Sequence, residues 1–135
     1  MSDVVVKVSD VMQTSLVLID GLASVREAVA VMEKNRVSSL IIERRQAGDE
    51  YGVVTVHDIA GKVIGMDRST NRTSVYQIMT KPALTVHSHM NVRYALRMLS
   101  RFNIARALVL RDDELVGLVT MRDMVNGYIA RTEPS

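Results

Sequence analysis

The sequence predicts a mixed α/β (α+β) fold: two pseudo-symmetric β-α-β-β-α repeats packed sheet to sheet as one module. Three observations predict it. Val8-Ser9-Asp10-Val11-Met12 returns 67 residues later as Val75-Tyr76-Gln77-Ile78-Met79. At the same offset, Val25-Arg26-x-Ala28 returns as Val92-Arg93-x-Ala95. Each copy then closes on Gly-x-Val-Thr-x-x-Asp, over Gly52 to Asp58 and again over Gly117 to Asp123. There the offset falls to 65, because the first copy carries two extra residues in the loop 44–52. Similarity at a fixed period marks a repeat architecture and precedes any assignment of fold. A chain of 135 residues suffices for one domain. Each half would be marginal alone, so the two are expected to share burial, and a junction between halves is a natural ligand site.

The first repeat spans 8–65 and opens with a helical turn at 9–12, followed by an apolar strand at 16–19. Ser24-Val25-Arg26-Glu27 is a capping box. The helix it starts carries Val25, Ala28, Val29 and Met32, the spacing of one buried face. Residues 37–42 read as a strand, Gly48-Asp49-Glu50 as a hairpin turn and 51–54 as the returning strand. A second helix comes next, with Val56, Ile59, Ala60, Val63 and Ile64 at helical spacing. Residues 66–74 are polar and read as the linker between repeats. The second repeat, 75–130, obeys the same plan. Its strands fall at 83–86, 104–110 and 115–119, the last two joined by an Asp112-Asp113-Glu114 turn. Asn91 caps a helix with the stripe Val92, Ala95, Leu96 and Leu99. The final helix presents Met121, Met124, Val125, Tyr128 and Ile129.

Composition narrows the function classes. Apolar residues make up 47% of the chain, with only 7 Gly and 2 Pro, which argues against disorder. Cysteine is absent, which removes disulfides and thiolate metal sites. No apolar run approaches the roughly 18 residues of a membrane span, and no positively charged leader is expected at residues 1–3. The expectation is a cytoplasmic protein with no membrane association. Residues 1–67 hold 7 Lys/Arg against 10 Asp/Glu, a net of −3, whereas residues 68–135 hold 10 against 5, a net of +5. Such a split suits head-to-tail contact or an anion held by the second half, and it equally suits a solvated surface.

The three signatures together resemble a tandem pair of CBS domains, the arrangement called a Bateman module. The resemblance covers about residues 8–130 and leaves no room for a separate catalytic domain in this chain. It implies a regulatory module that binds adenosine-containing ligands in clefts between the repeats. AMP, ADP and ATP are the candidates, S-adenosylmethionine ranks behind them, and no cofactor is required. It also implies a homodimer, a disc of four CBS repeats, that acts on a regulated partner protein whose identity the sequence does not give.

Carried residue by residue, the resemblance makes Thr55, Asp58, Thr120 and Asp123 the ribose and phosphate contacts. An aspartate can accept both hydroxyls of a ribose in charge-assisted bonds. A threonine at a helix start can donate to a phosphate beside the positive end of that helix. The same tetrapeptide is also an ordinary helix cap, and both readings stand. The adenine positions match residues 15–17 and Val37-Ser38 in the first repeat, and Ala83-Leu84 and Ile104-Ala105 in the second. Asp123 and Thr120 are expected to share a cleft with Val37 and Ser38, and Asp58 and Thr55 one with Ile104. Val37 and Ile104 equally read as core strand residues. With only Tyr51, Tyr76, Tyr94, Phe102 and Tyr128 as aromatics, stacking is not the main grip on the base. The resemblance also makes Arg106 the expected phosphate ligand, since relatives carry a basic residue at that place and a guanidinium binds phosphate in bidentate fashion; Arg106 equally reads as a surface arginine with no partner, and the first repeat has Ser39 there. Arg122 and His57 are weaker candidates.

Other features carry less. Arg93, Arg97 and Arg101 form a basic stripe that reads as a solvated helix face. His87 and His89 lack the further ligands a metal site needs. The few aromatics and a net charge of +2 argue against nucleic acid. No nucleophile–base pair or Gly-rich phosphate loop is present, so an enzyme is not expected. The alternative is a structural homodimerisation or interaction domain with vestigial ligand clefts.

Overall fold

The structure, a computed structural model, describes residues 4–133. Residues 1–3, where no positively charged leader is expected, lie outside the described residues. The elements run α1 (Val8–Val11), β1 (Leu18–Ile19), α2 (Val25–Asn35), β2 (Ser39–Ile42), β3 (Gly52–Thr55), α3 (Val56–Lys62), β4 (Thr85–His87), α4 (Val92–Phe102), β5 (Arg106–Arg111), β6 (Glu114–Thr120) and α5 (Met121–Thr132). Short 3-10 turns occupy Ile64–Met66 and Val75–Gln77. Leu16–Ala83 forms one compact unit; the segment up to Ser15 joins the residues from Leu84 onward in the other.

In the unit Leu16–Ala83 the sheet order is β1-β2-β3, with β1 parallel and β3 antiparallel to β2. A parallel pair requires a crossover, and α2 supplies it. The Ser24 hydroxyl accepts the Glu27 N–H at 3.0 Å to start α2, and Arg36, at φ 55°, ends it. The Thr73 and Thr70 carbonyls accept the N–H groups of Val25 and Arg26 at 2.8 and 3.0 Å. The polar 66–74 stretch therefore satisfies orphan donors of the first turn of α2, and Thr73 is buried. The core gathers Val25, Ala28, Met32, Leu40, Ile42, Val54, Ile59 and Val63 around Val75 and Ile78.

The other unit repeats the plan with β4-β5-β6. Asn91 caps α4 by accepting the Arg93 N–H at 2.9 Å, and Asn103 ends it at φ 55°. Asp112 and Asp113, at φ 50° and 67°, make a two-residue turn, the mirror-image kind that matches strand twist. Val86, Val92, Ala95, Leu99, Ala107, Val109, Val119 and Met124 form the core, together with Val6 and Val8 from the N-terminal arm.

The compact units cut across the sequence repeats in a reciprocal way. Gln13 and Leu118 exchange N–H···O bonds of 2.8 and 2.9 Å, so the opening of the first repeat lies on β6. Thr80 and Val53 exchange bonds of 2.9 and 3.0 Å, so the opening of the second lies on β3. Here the closing motif needs its glycine. A Cβ on Gly117 would come within 2.5 Å of Met12 Sδ and 3.0 Å of the Gln13 carbonyl; one on Gly52 would come within 3.0 Å of Met79 Sδ.

The helical stripes are narrower than the spacing predicts. Val29 is 41% exposed, Val56 51%, Val125 41% and Ile129 45%. A helix laid on a three-stranded sheet buries the i, i+3, i+7 line and leaves the flanking apolar positions open. α3 stops at Lys62, so Ile64 sits in the separate 3-10 turn and is exposed. Strand ends differ from the predicted ranges by a residue or two, as fraying ends do. No helix among the described residues is long and apolar enough to cross a membrane.

Candidate functional site

Both Thr-x-x-Asp motifs sit where a strand runs directly into a helix, and both threonines are N-caps. Thr55 ends β3; its hydroxyl accepts the Asp58 N–H at 3.1 Å. The Asp58 carboxylate turns back on the same cap. Its Oδ2 accepts the Thr55 N–H at 2.9 Å and the Thr55 hydroxyl at 3.1 Å, while Oδ1 pairs with Lys62 at 3.2 Å. In the first repeat the capping reading is thus realised in full. The Asp58 carboxylate is thus engaged at both oxygens by its own helix start and Lys62.

The second motif starts alike and ends differently. The Thr120 hydroxyl accepts the Asp123 N–H at 3.0 Å, capping α5. The Asp123 carboxylate does not close the box. Its Oδ2 instead accepts the side-chain amide of Gln13 at 2.7 Å. Arg106 stands directly across the β5–β6 ladder from Thr120, and side chains opposite one another on an antiparallel pair share a face. Arg106 is half-buried, and among the described residues no hydrogen bond or ion pair engages its guanidinium. A cation, a capped helix start and an outward-turned carboxylate therefore lie together in this unit.

The base-position candidates are held by backbone in matching ways. The Ser38 carbonyl accepts the Val56 N–H at 3.0 Å, and the Ala105 carbonyl accepts that of Met121 at 2.8 Å. Val37 and Ile104, both half-buried, bond back to the Met32 and Leu99 carbonyls at 3.0 and 2.9 Å. So the structure brings Ser38 beside the Thr55 cap, and Ala105 and Arg106 beside the Thr120 cap. Ser39, opposite Thr55, is buried and uncharged, so the two motifs differ in charge as expected. Arg122 and His57 are exposed.

Sequence reasoning missed Gln13 and Lys62. The second had a signal, since Asp58 and Lys62 stand at i, i+4. It also missed an open groove of about 940 Å³ bordered by Asp20, Ile42, Arg45, Asp49, Tyr76 and Lys81. None of the predicted site residues lines it. Within it the Arg45 backbone N–H, then Lys81 at 3.0 Å, hold the Asp49 carboxyl down to about 2. Among the described residues no cluster of His, Asp or Glu has the geometry of a metal site.

Comparison with known proteins agrees with this fold. The CBS domain profile matches residues 8–65 and 75–129. A 33.4 kDa protein of the ribosomal RNA operon of Thermofilum pendens is 28% identical over 131 residues, covering 89% of this chain and 43% of that protein. The chain thus spans less than half the length of that relative. Among solved structures, a hexameric CBS-CP12 protein from bloom-forming cyanobacteria superposes with TM-score 0.89 at 30% identity, covering 97% of this chain and 76% of that one. The CBS domain pair of protein MJ0100, in complex with 5′-methylthioadenosine and S-adenosyl-L-methionine, has TM-score 0.80 at 25% identity and covers 95% and 99% of the two chains. A CBS domain protein from Pyrobaculum aerophilum complexed with AMP has TM-score 0.77 at 24% identity, over 87% and 89%, and shares the fold.

Proposed function

This chain belongs to the CBS-domain family, and from that premise we propose that it senses an adenosine nucleotide, AMP, ADP or ATP, and signals its occupancy to a partner protein. The observation that carries the reading is the grouping of Arg106, the Thr120 cap and the Asp123 carboxylate at the start of α5. Asp123 accepts the ribose hydroxyls in charge-assisted bonds. Arg106 takes the phosphate as a fixed fork. The positive end of α5 adds to the attraction. The Ala105 carbonyl, just before β5, accepts the Met121 N–H beside these groups. In the first repeat Thr55 and Asp58 make the motif a cap first, since the Asp58 carboxylate is already engaged by Thr55 and Lys62. MJ0100 with S-adenosyl-L-methionine and the Pyrobaculum protein with AMP support the ligand class.

Isothermal titration with AMP, ADP, ATP and S-adenosylmethionine tests the proposal. Binding is expected to vanish in Asp123→Ala and to survive in Asp58→Ala. Arg106→Ala should weaken AMP while leaving adenosine unchanged. Absence of heat with every ligand at millimolar concentration would refute the reading. The exposed Ile64, Met66, Val125 and Ile129 favour a second one, a homodimerising interaction domain. Sedimentation of a Val125→Asp, Ile129→Asp variant as monomer, beside a dimeric wild type, would support it.

A further inference from the structure

We propose that Gln13 is a positioning residue for Asp123: its amide holds the carboxylate away from its own helix cap and open to a vicinal diol. The inference rests on the reading of Asp123 as the ribose acceptor. Its basis is the contrast between two motifs of the same sequence pattern. Gln13 Nε2 donates to Asp123 Oδ2 at 2.7 Å. The backbone that carries the donor is fixed, because Gln13 is paired with Leu118 through both its N–H and its carbonyl. The arm that carries it is pinned again where Arg131 donates to the Asp10 carbonyl at 2.9 Å and Val8 N–H donates to Met90 at 2.9 Å.

Among the described residues no glutamine or asparagine amide reaches the aspartate of the first repeat, which turns inward onto its own cap. Thr80 takes the backbone place of Gln13, paired with Val53 on β3. Its side chain ends one atom past Cβ, and Asp58 folds back onto the Thr55 N–H at 2.9 Å. A carboxylate has about four lone-pair sites. Asp58 commits three of them to Thr55 and Lys62. Among the described residues Asp123 commits one, to Gln13. Removing the Gln13 amide would let Asp123 close the box on the Thr120 N–H as Asp58 does on Thr55. A ribose would then have to break that bond to bind.

The test measures AMP and 2′,3′-dideoxy-AMP affinities for the full chain, wild type and Gln13→Ala. A second variant, Gln13→Asn, keeps an amide one methylene too short to reach. Both variants are expected to lose about tenfold in AMP affinity, the effect of one hydrogen bond to a charged group. Affinity for the dideoxy nucleotide, which has no diol to read, should stay unchanged. Thermal melts matching wild type would show the arm still seated. Equal AMP binding by all three proteins would overturn the inference, and so would equal losses for both nucleotides. A wild type that binds neither nucleotide would instead overturn the nucleotide reading itself.

Discussion

Replacing Gly127 with alanine puts a methyl group where Val11 already sits, because a Cβ built there overlaps the Val11 side chain. Replacing Gly61 makes the same chemical change on α3 with nothing within 4 Å. Alanine is favoured over glycine in a helix interior by about 1 kcal/mol, so both substitutions start from the same gain. For Gly61→Ala that gain stands, and stability should rise by about 0.5–1 kcal/mol. For Gly127→Ala, overpacking costs about 1–3 kcal/mol. The result is no gain at best and a loss of up to about 2 kcal/mol. Urea unfolding at constant slope reads the difference. Adding Val11→Ala supplies the missing space, so Gly127→Ala in that background should regain the helix-propensity benefit. The cycle should give a coupling of about 1–3 kcal/mol. If Gly127→Ala stabilised the wild-type chain as much as Gly61→Ala, the arm would not be seated on α5. Gln13 would then have no fixed backbone from which to reach Asp123.

Thr55→Ala and Thr120→Ala each remove an N-cap and should each cost about 1 kcal/mol in thermal or urea unfolding. Thr55→Ala should cost the more, since the Thr55 hydroxyl also donates to Asp58, at 3.1 Å. Asp49 titrates at about 2 when folded because the Arg45 backbone N–H and then Lys81 stabilise its charged form. Its unfolded value is about 3.9, so its contribution is present above about pH 4 and is lost as pH falls toward 2. Denaturation midpoints across that window should therefore fall less steeply in Asp49→Asn than in wild type; parallel curves would show that Asp49 is not held as described.

The repeat made most of the fold legible. Positions 67 apart, Ser24 and Asn91, both cap helices, and Arg36 and Asn103 both end them at φ 55°. Offsets cannot show to which sheet a segment returns. The opening Val8-Ser9-Asp10-Val11-Met12 belongs by sequence to the first repeat and packs with the second hairpin. A signal existed in Gly52 and Gly117, each a side-chain-free place on a strand facing a methionine, Met79 or Met12. A glycine inside a strand marks close approach by another backbone. Which backbone approaches depends on chain trajectory, and local patterning is blind to that. The exposed Val125 and Ile129 escaped for a related reason, since helical periodicity identifies an apolar side but not how wide the covering sheet is.

The same limit explains the candidate site. Thr55-x-x-Asp58 and Thr120-x-x-Asp123 are indistinguishable as motifs, and each threonine caps its helix. What separates them lies 110 residues from Asp123, at a position where one arm carries glutamine and the other threonine. Thr80 and Gln13 make equivalent backbone pairs, so the difference is one of reach. The longer side chain arrives at the opposite carboxylate and the shorter one does not. Lys62 reinforces the division, since it sits on Asp58 at 3.2 Å while Gly127 takes the equivalent place after Asp123. A duplicated motif thus diverges in chemistry without changing its own residues. Exchanged arms let each copy vary what the other copy's aspartate meets.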